Sequence, residues 1–130
     1  MRGEAHPLGA TSILIAGDEN SVVKQVHQRL GSLGYAVSAV VASGKEVIQR
    51  AKETAPDLVL VDVGLRGAVD GADVAEQIRA RLDIPVVFLI TRADDENLPQ
   101  AKIAAPFGCV LEPFETRELH STIETTIYEH

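Results

Sequence analysis

The sequence predicts an α/β domain: a (βα)5 doubly wound, five-stranded parallel sheet with helices on both faces. Three observations predict it. Short continuous apolar runs recur along the chain, each the length of a strand buried on both sides. Between them lie segments with apolar residues at helical spacing. The 130-residue chain is 45% hydrophobic but only 4% aromatic, with no Trp. Its core must therefore be Val, Ile, Leu and Ala, which suits a layered α/β interior.

Each element follows in order. Ile13-Leu14-Ile15-Ala16 is the first apolar run, broken by Gly17-Asp18-Glu19-Asn20-Ser21. Val22, Val23, Val26, Leu30 and Leu33 then repeat at helical spacing, and Gly34 supplies the stop. Residues 35–42 read as the second strand. Ser43-Gly44-Lys45-Glu46 has the capping-box form, in which each side chain satisfies a free backbone donor at the other end. Val47, Ile48 and Ala51 give that helix its apolar face, and Pro56 ends it. Leu58-Val59-Leu60-Val61 is the third strand, with Asp62 at its carboxyl end. A glycine-rich loop over 64–71 precedes a third helix through Val74, Ala75, Ile78 and Leu82. Residues 85–90 form the fourth strand and 94–105 the fourth helix, which Pro99 shortens or delays. The fifth strand is 108–111, and Leu119, Ile123 and Ile127 stripe the fifth helix. Alternating units of this kind imply right-handed crossovers and a ligand site outside the carboxyl ends of the strands.

Composition excludes several functions. The net charge of −7 and pI near 5 oppose direct binding to a phosphate backbone. The single cysteine, Cys109, cannot form an internal disulfide and suits a reducing, cytoplasmic setting. In the fifth strand it reads as a small buried apolar residue rather than a reactive thiol. No apolar run is long enough to span a bilayer. Residues 1–11 lack the apolar stretch of a signal peptide and read as a flexible leader to a domain over 12–130. His6, His27, His120 and His130 have no metal-ligand spacing, and His27 and His120 read as helix-surface residues. No dinucleotide fingerprint follows the first strand, and no Walker loop is present. A phosphatase of the Asp-x-Asp type is disfavoured because Val63-Gly64 follows Asp62.

The candidate chemistry is acidic. Asp18 follows the first strand, Asp62 ends the third and Glu112 follows the fifth. Those strands can be neighbours in a doubly wound sheet, so all three acids are expected to face one crevice. Carboxylates that close repel one another unless a divalent cation such as Mg²⁺ sits among them. Beside it, one carboxylate can act as a nucleophile towards a phosphoryl group. The plainer reading of any one of these acids is a turn or helix-cap residue.

From Ser12 to about Tyr128 the sequence resembles the response-regulator receiver domain, a flavodoxin-like fold. The matching stretches are Ile13-Leu14-Ile15-Ala16-Gly17-Asp18-Glu19, Pro56-Asp57-Leu58-Val59-Leu60-Val61-Asp62-Val63, Val69-Asp70-Gly71, Pro85-Val86-Val87-Phe88-Leu89 and Glu112-Pro113-Phe114. The resemblance implies that Asp62 is the phospho-acceptor and Asp18 the main Mg²⁺ ligand, with the Gly64 backbone carbonyl as a further ligand. It implies no enzyme activity beyond self-phosphorylation and self-dephosphorylation at Asp62. It also implies a histidine kinase or an attached signalling domain as partner.

Four functional positions depart from the family pattern. Gly17 replaces the first of two acids. Ile90 stands where a Thr or Ser would hydrogen-bond the phosphoryl group, with Thr91 one residue along and so on the other face. Glu112 replaces the lysine before Pro-Phe, and Cys109 the aromatic switch residue. If the Glu112 position lies about 4 Å from the phosphoryl group, an attraction of roughly 4 kcal/mol becomes a repulsion. A lost Thr hydrogen bond is worth about 1–3 kcal/mol. Glu112 is thus the gravest change, which Arg92 or Arg66 would offset by swinging in, and Glu112 is also placed to replace the acid lost at Gly17 in a three-carboxylate metal site. Two functions follow: a phosphorelay receiver with atypical switching, or a pseudo-receiver that serves only as a protein-interaction module. A third, a metal- or small-ligand-binding domain outside phosphorelay, is weaker. Ile103, Ala104, Ala105, Phe107 and Val110, on the fourth and fifth strand and helix segments, form either a homodimer surface or plain core.

Overall fold

The computed structural model describes residues 10–17, 21–62, 71–91, 108–112 and 114–129. Five parallel strands, β1 (Ser12–Ala16), β2 (Ala36–Val41), β3 (Leu58–Asp62), β4 (Val86–Thr91) and β5 (Gly108–Glu112), form one sheet in the order β2-β1-β3-β4-β5. The helices are α1 (Ser21–Ser32), α2 (Gly44–Thr54), α3 (Gly71–Leu82) and α4 (Thr116–Glu129). The segment predicted as a fourth helix lies outside the described residues, so α4 is the fifth helix of the sequence reading.

Strand alternation divides the core into two layers. Leu14, Ala16, Val59, Val61, Val86 and Phe88 pack with Val47 and Ala51 of α2 and Val74, Ala75 and Ile78 of α3. Ile13, Ile15, Leu58, Leu60, Val87, Leu89 and Val110 pack with Val23, Val26 and Leu30 of α1 and Leu119 and Ile123 of α4. The continuous apolar runs are therefore explained: every second residue serves a different helix layer. Val110 is 3% exposed and belongs to this core, so the plain reading holds for it.

Local signals act as their chemistry dictates. Gly34 takes a φ of 90°, and Tyr35 N–H bonds to Leu30 O at 3.0 Å while Gly34 N–H bonds to Gly31 O at 3.1 Å. This is the paired closure of a Schellman motif. Ser43 caps α2, its Oγ accepting from Glu46 N–H at 3.3 Å. The other half of the expected box takes a different form, because the Ser43 hydroxyl itself donates to Glu46 Oε1 at 3.3 Å. Sequence-based strand ends shift by a residue: β2 begins at Ala36, and β4 and β5 run on to Thr91 and Glu112. Those extensions complete the β4–β5 ladder, in which Thr91 pairs with Glu112.

Candidate functional site

Strand order reverses between β1 and β3, since β2 lies on one side of β1 and β3, β4 and β5 on the other. The crevice at such a reversal, beyond the carboxyl ends of the strands, is where doubly wound sheets bind ligands. Asp62 ends β3 at that point and is only 7% exposed. A carboxylate so deeply placed in an apolar sheet is costly unless donors or a cation serve it.

Gly17 lies against it. Its N–H continues the β1–β2 ladder by bonding to Val41 O at 2.8 Å, which holds residue 17 in line with the strand. A Cβ on Gly17 would stand 2.9 Å from Asp62 Cβ, 3.2 Å from Val23 Cγ2 and 3.4 Å from Asp62 Oδ2. The Asp62 side chain thus uses space that any larger residue at 17 would need. This contact was missed in the sequence, where Gly17 reads only as a lost acid. The signal available was its place directly before Asp18 at the end of a buried strand.

The third acid is placed differently from expectation. The first, third and fifth strands are not mutual neighbours, because β4 stands between β3 and β5. Asp62 pairs with Leu89, and Leu89 with Val110, so Glu112 sits two strands over and two residues further along. At about 4.8 Å per strand and 3.3 Å per residue, the two Cα atoms are roughly 10–12 Å apart. The chain's topology forces this, because the crossover after β3 sets β4 beside it. The Glu112 backbone is therefore not next to that of Asp62 in the sheet.

Ile90 pairs with Leu111, and Cys109 with Phe88. Asp18, Gly64, Arg66 and Arg92 lie outside the described residues, as do Ile103, Ala104, Ala105 and Phe107. His27 and His120 are exposed on α1 and α4, as expected. Among the described residues no group of three or more His, Cys, Asp or Glu side chains is gathered as for a metal. Of the expected donors, Asp62 is the one among the described residues, buried at the end of β3. Two carboxylates and a backbone carbonyl are all hard oxygen donors, the set that Mg²⁺ takes with water. The donor chemistry fits.

The segment after β5 is fastened to α1. The Arg29 guanidinium lies 5.3 Å from the centre of the buried Phe114 ring and its Nη1 donates to Thr116 Oγ1 at 2.7 Å. The Tyr35 hydroxyl donates to Glu124 Oε2 at 2.6 Å, and its ring lies 6.0 Å from that of His120. Burial first, then the hydrogen bond and charge of Glu124, push the Tyr35 phenol well above its ordinary pKa. Sequence patterning did not reveal this seam between α1 and α4.

Comparison with known proteins agrees with this geometry. The family model of the response regulator receiver domain matches residues 13–124. The chain is 31% identical over 115 residues to a probable transcriptional regulator ycf27 of Cyanidium caldarium, covering 88% of this chain and 45% of that protein. It is 28% identical to the transcriptional regulatory protein PdtaR of Mycobacterium tuberculosis, covering 88% and 56%. The crystal structure of a signal receiver domain of a modulated diguanylate cyclase from Desulfovibrio desulfuricans G20 superposes with a TM-score of 0.83 at 33% identity, covering 92% and 95%. The chain spans about half the length of the curated relatives it matches. Among the described residues, no helix is long and apolar enough to cross a membrane.

Proposed function

Since this chain belongs to the response regulator receiver domain family, we propose that Asp62 accepts a phosphoryl group from a histidine kinase. The observation that carries this reading is the position of Asp62: buried at the carboxyl end of β3, at the strand-order reversal, against Gly17. In the step, a carboxylate oxygen of Asp62 attacks phosphorus as the bond to the kinase imidazole nitrogen breaks, leaving an acyl phosphate on Asp62. Asp18, Asp62 and the Gly64 carbonyl would hold Mg²⁺, which when bound shields the charge of the phosphoryl oxygens. Gly17 leaves room for the Asp62 side chain and removes one competing negative charge.

Reading the phosphoryl group is where this chain differs. With Ile90, Cys109 and Glu112 at the family's contact positions, the acyl phosphate lacks the hydroxyl, the aromatic switch and the lysine. Switching is therefore atypical. Arg92 and Arg66 are the cations nearest in sequence to the site, and they would supply the missing positive charge. The output belongs to an attached or partner signalling domain, and the domain works in the cytoplasm.

Incubation with acetyl phosphate or phosphoramidate and Mg²⁺, followed by intact mass measurement, tests the proposal. One phosphoryl group per chain, absent from Asp62→Asn, is the expected result. Glu112 and Ile90 favour a second reading, a pseudo-receiver that binds a partner without phosphorylation. A protein that stays unmodified under these conditions, yet holds its partner, establishes that reading instead.

A further inference from the structure

Strand β2 is one edge of the sheet, and its pairing with β1 is irregular. Val37 stands opposite Ile13 and Ala39 opposite Leu14, which leaves Ser38 as an extra residue. The consequence is a change of side-chain parity. Val37 and Val40 are three residues apart yet both pack on the α1–α4 layer, while Ala39 and Val41 pack on the α2–α3 layer. In an unbroken strand, residues three apart face opposite sides. The bulge absorbs the odd residue, at the expense of a Ser38 hydroxyl buried with no hydrogen-bond partner.

A bulge in a parallel pair is uncommon, and bulges cluster where a sheet edge must be closed to further pairing. The strand's own sequence carries no other such device. Ala36–Val41 reads Ala-Val-Ser-Ala-Val-Val, with no lysine, no proline and no charge of either sign. Five of its six residues are only half-buried. An aliphatic, uncharged outer strand of this length is the kind that strand addition favours.

We propose that the Ser38 bulge holds shut a latent strand-pairing edge whose partner is β2 of a second copy of this chain. The edge has no charge to repel its own copy, although the whole chain carries −7. Two such edges meeting antiparallel about a two-fold axis would make a closed, self-complementary contact. The local bend and added twist of the bulge prevent the two ladders from aligning.

Deletion of Ser38 is the direct test, because it removes the extra residue and leaves Val37, Ala39, Val40 and Val41 on their present faces. Ser38→Ala is the control that removes the hydroxyl and keeps the bulge. Circular dichroism reports folding, and sedimentation velocity compares each variant with the parent protein at equal concentration. The deletion variant is expected to fold and to sediment as a dimer or larger, at concentrations where the parent and Ser38→Ala do not change. Adding Ala36→Lys to the deletion should restore the parent's sedimentation. A deletion variant that sediments as the parent does would overturn the proposal. So would association of Ser38→Ala, failure of Ala36→Lys to reverse association, or loss of the fold on deletion, which would make the bulge a folding requirement instead.

Discussion

Gly17 and Asp62 touch across the boundary between β1 and β3: a Cβ on Gly17 would stand 2.9 Å from the Asp62 Cβ, closer than real side chains approach. Both residues are held by the sheet, so neither backbone can give way cheaply. Gly17→Ala should therefore destabilise the domain by about 1–3 kcal/mol through overpacking. Urea unfolding measures it. Gly17→Asp adds a carboxylate to the same crowding, so its stability should rise more steeply with Mg²⁺ than the parent's. Equal Mg²⁺ responses in thermal melts would mean that position 17 does not communicate with a metal at Asp62.

β4 separates the strand of Glu112 from that of Asp62, and the distance between the two charges sets the size of the effect. For charges about 10 Å apart, with an effective dielectric between 20 and 80, the interaction is roughly 0.4–1.7 kcal/mol. Glu112→Lys reverses the sign, a swing of about 1–3 kcal/mol. The yield of phosphorylated protein at fixed acetyl phosphate should rise by roughly tenfold, as 1.4 kcal/mol corresponds to a factor of ten. The gain should shrink as salt is added. A yield that does not change between Glu112 and lysine would show that this position lies outside the field of the phosphoryl group.

Tyr35 gives the stability of the domain a dependence on alkaline pH. Its phenol is raised in the folded state above the ordinary value of 10.0 by burial and by Glu124. Ionisation is thus harder in the folded chain than in the unfolded one. The contribution is complete below pH 10 and is lost as pH climbs from there towards the higher folded value. Parent protein should lose stability over that range, while Tyr35→Phe should be flat across it after starting about 1 kcal/mol lower at neutral pH. Unfolding free energies at a series of pH values decide it.

Arg29 joins α1 to the turn that follows Glu112. It stacks on Phe114 and donates to Thr116, two contacts made by one planar group. Arg29→Ala should cost about 1–2 kcal/mol. Arg29→Lys should recover little of this, since an ammonium lacks the flat face and the fork of donors. A double-mutant cycle with Phe114→Leu should show a coupling of about 0.5–1 kcal/mol. Additive losses would place the whole value of Arg29 in its bond to Thr116.

These residues also mark where sequence reading stops. Apolar runs at 13–16, 58–61 and 86–89 announce buried strands because both faces are covered. Gly34 and Ser43 announce helix ends because their chemistry is local. Asp62 was found for the same reason, standing at the end of a run. The remainder depends on partners distant in the chain. Nothing near Gly17 tells that its missing side chain is Asp62's space, nothing near Glu112 tells that a strand lies between it and Asp62, and Ser38 looks like an ordinary strand residue until the register with Ile13 and Leu14 is known.

Asp57 is the last such case. In the sequence it reads only as part of the Pro56-Asp57-Leu58 stretch, but it staples the amino-terminal edge of the sheet. Its Oδ2 accepts the Ser12 N–H at 2.8 Å, and its own N–H returns a bond to Ser12 O at 2.8 Å. Ser12 is 1% exposed and Asp57 7%, so water cannot readily replace either partner. Asp57→Ala leaves the Ser12 N–H buried without an acceptor and should cost about 1–3 kcal/mol. Asp57→Asn keeps an acceptor oxygen in reach and should recover most of the loss. Hydrogen exchange should show the effect first at the Ser12 amide, with that proton exposed in Asp57→Ala and protected in the parent. A Ser12 amide equally protected in both would assign its shielding to the sheet rather than to Asp57.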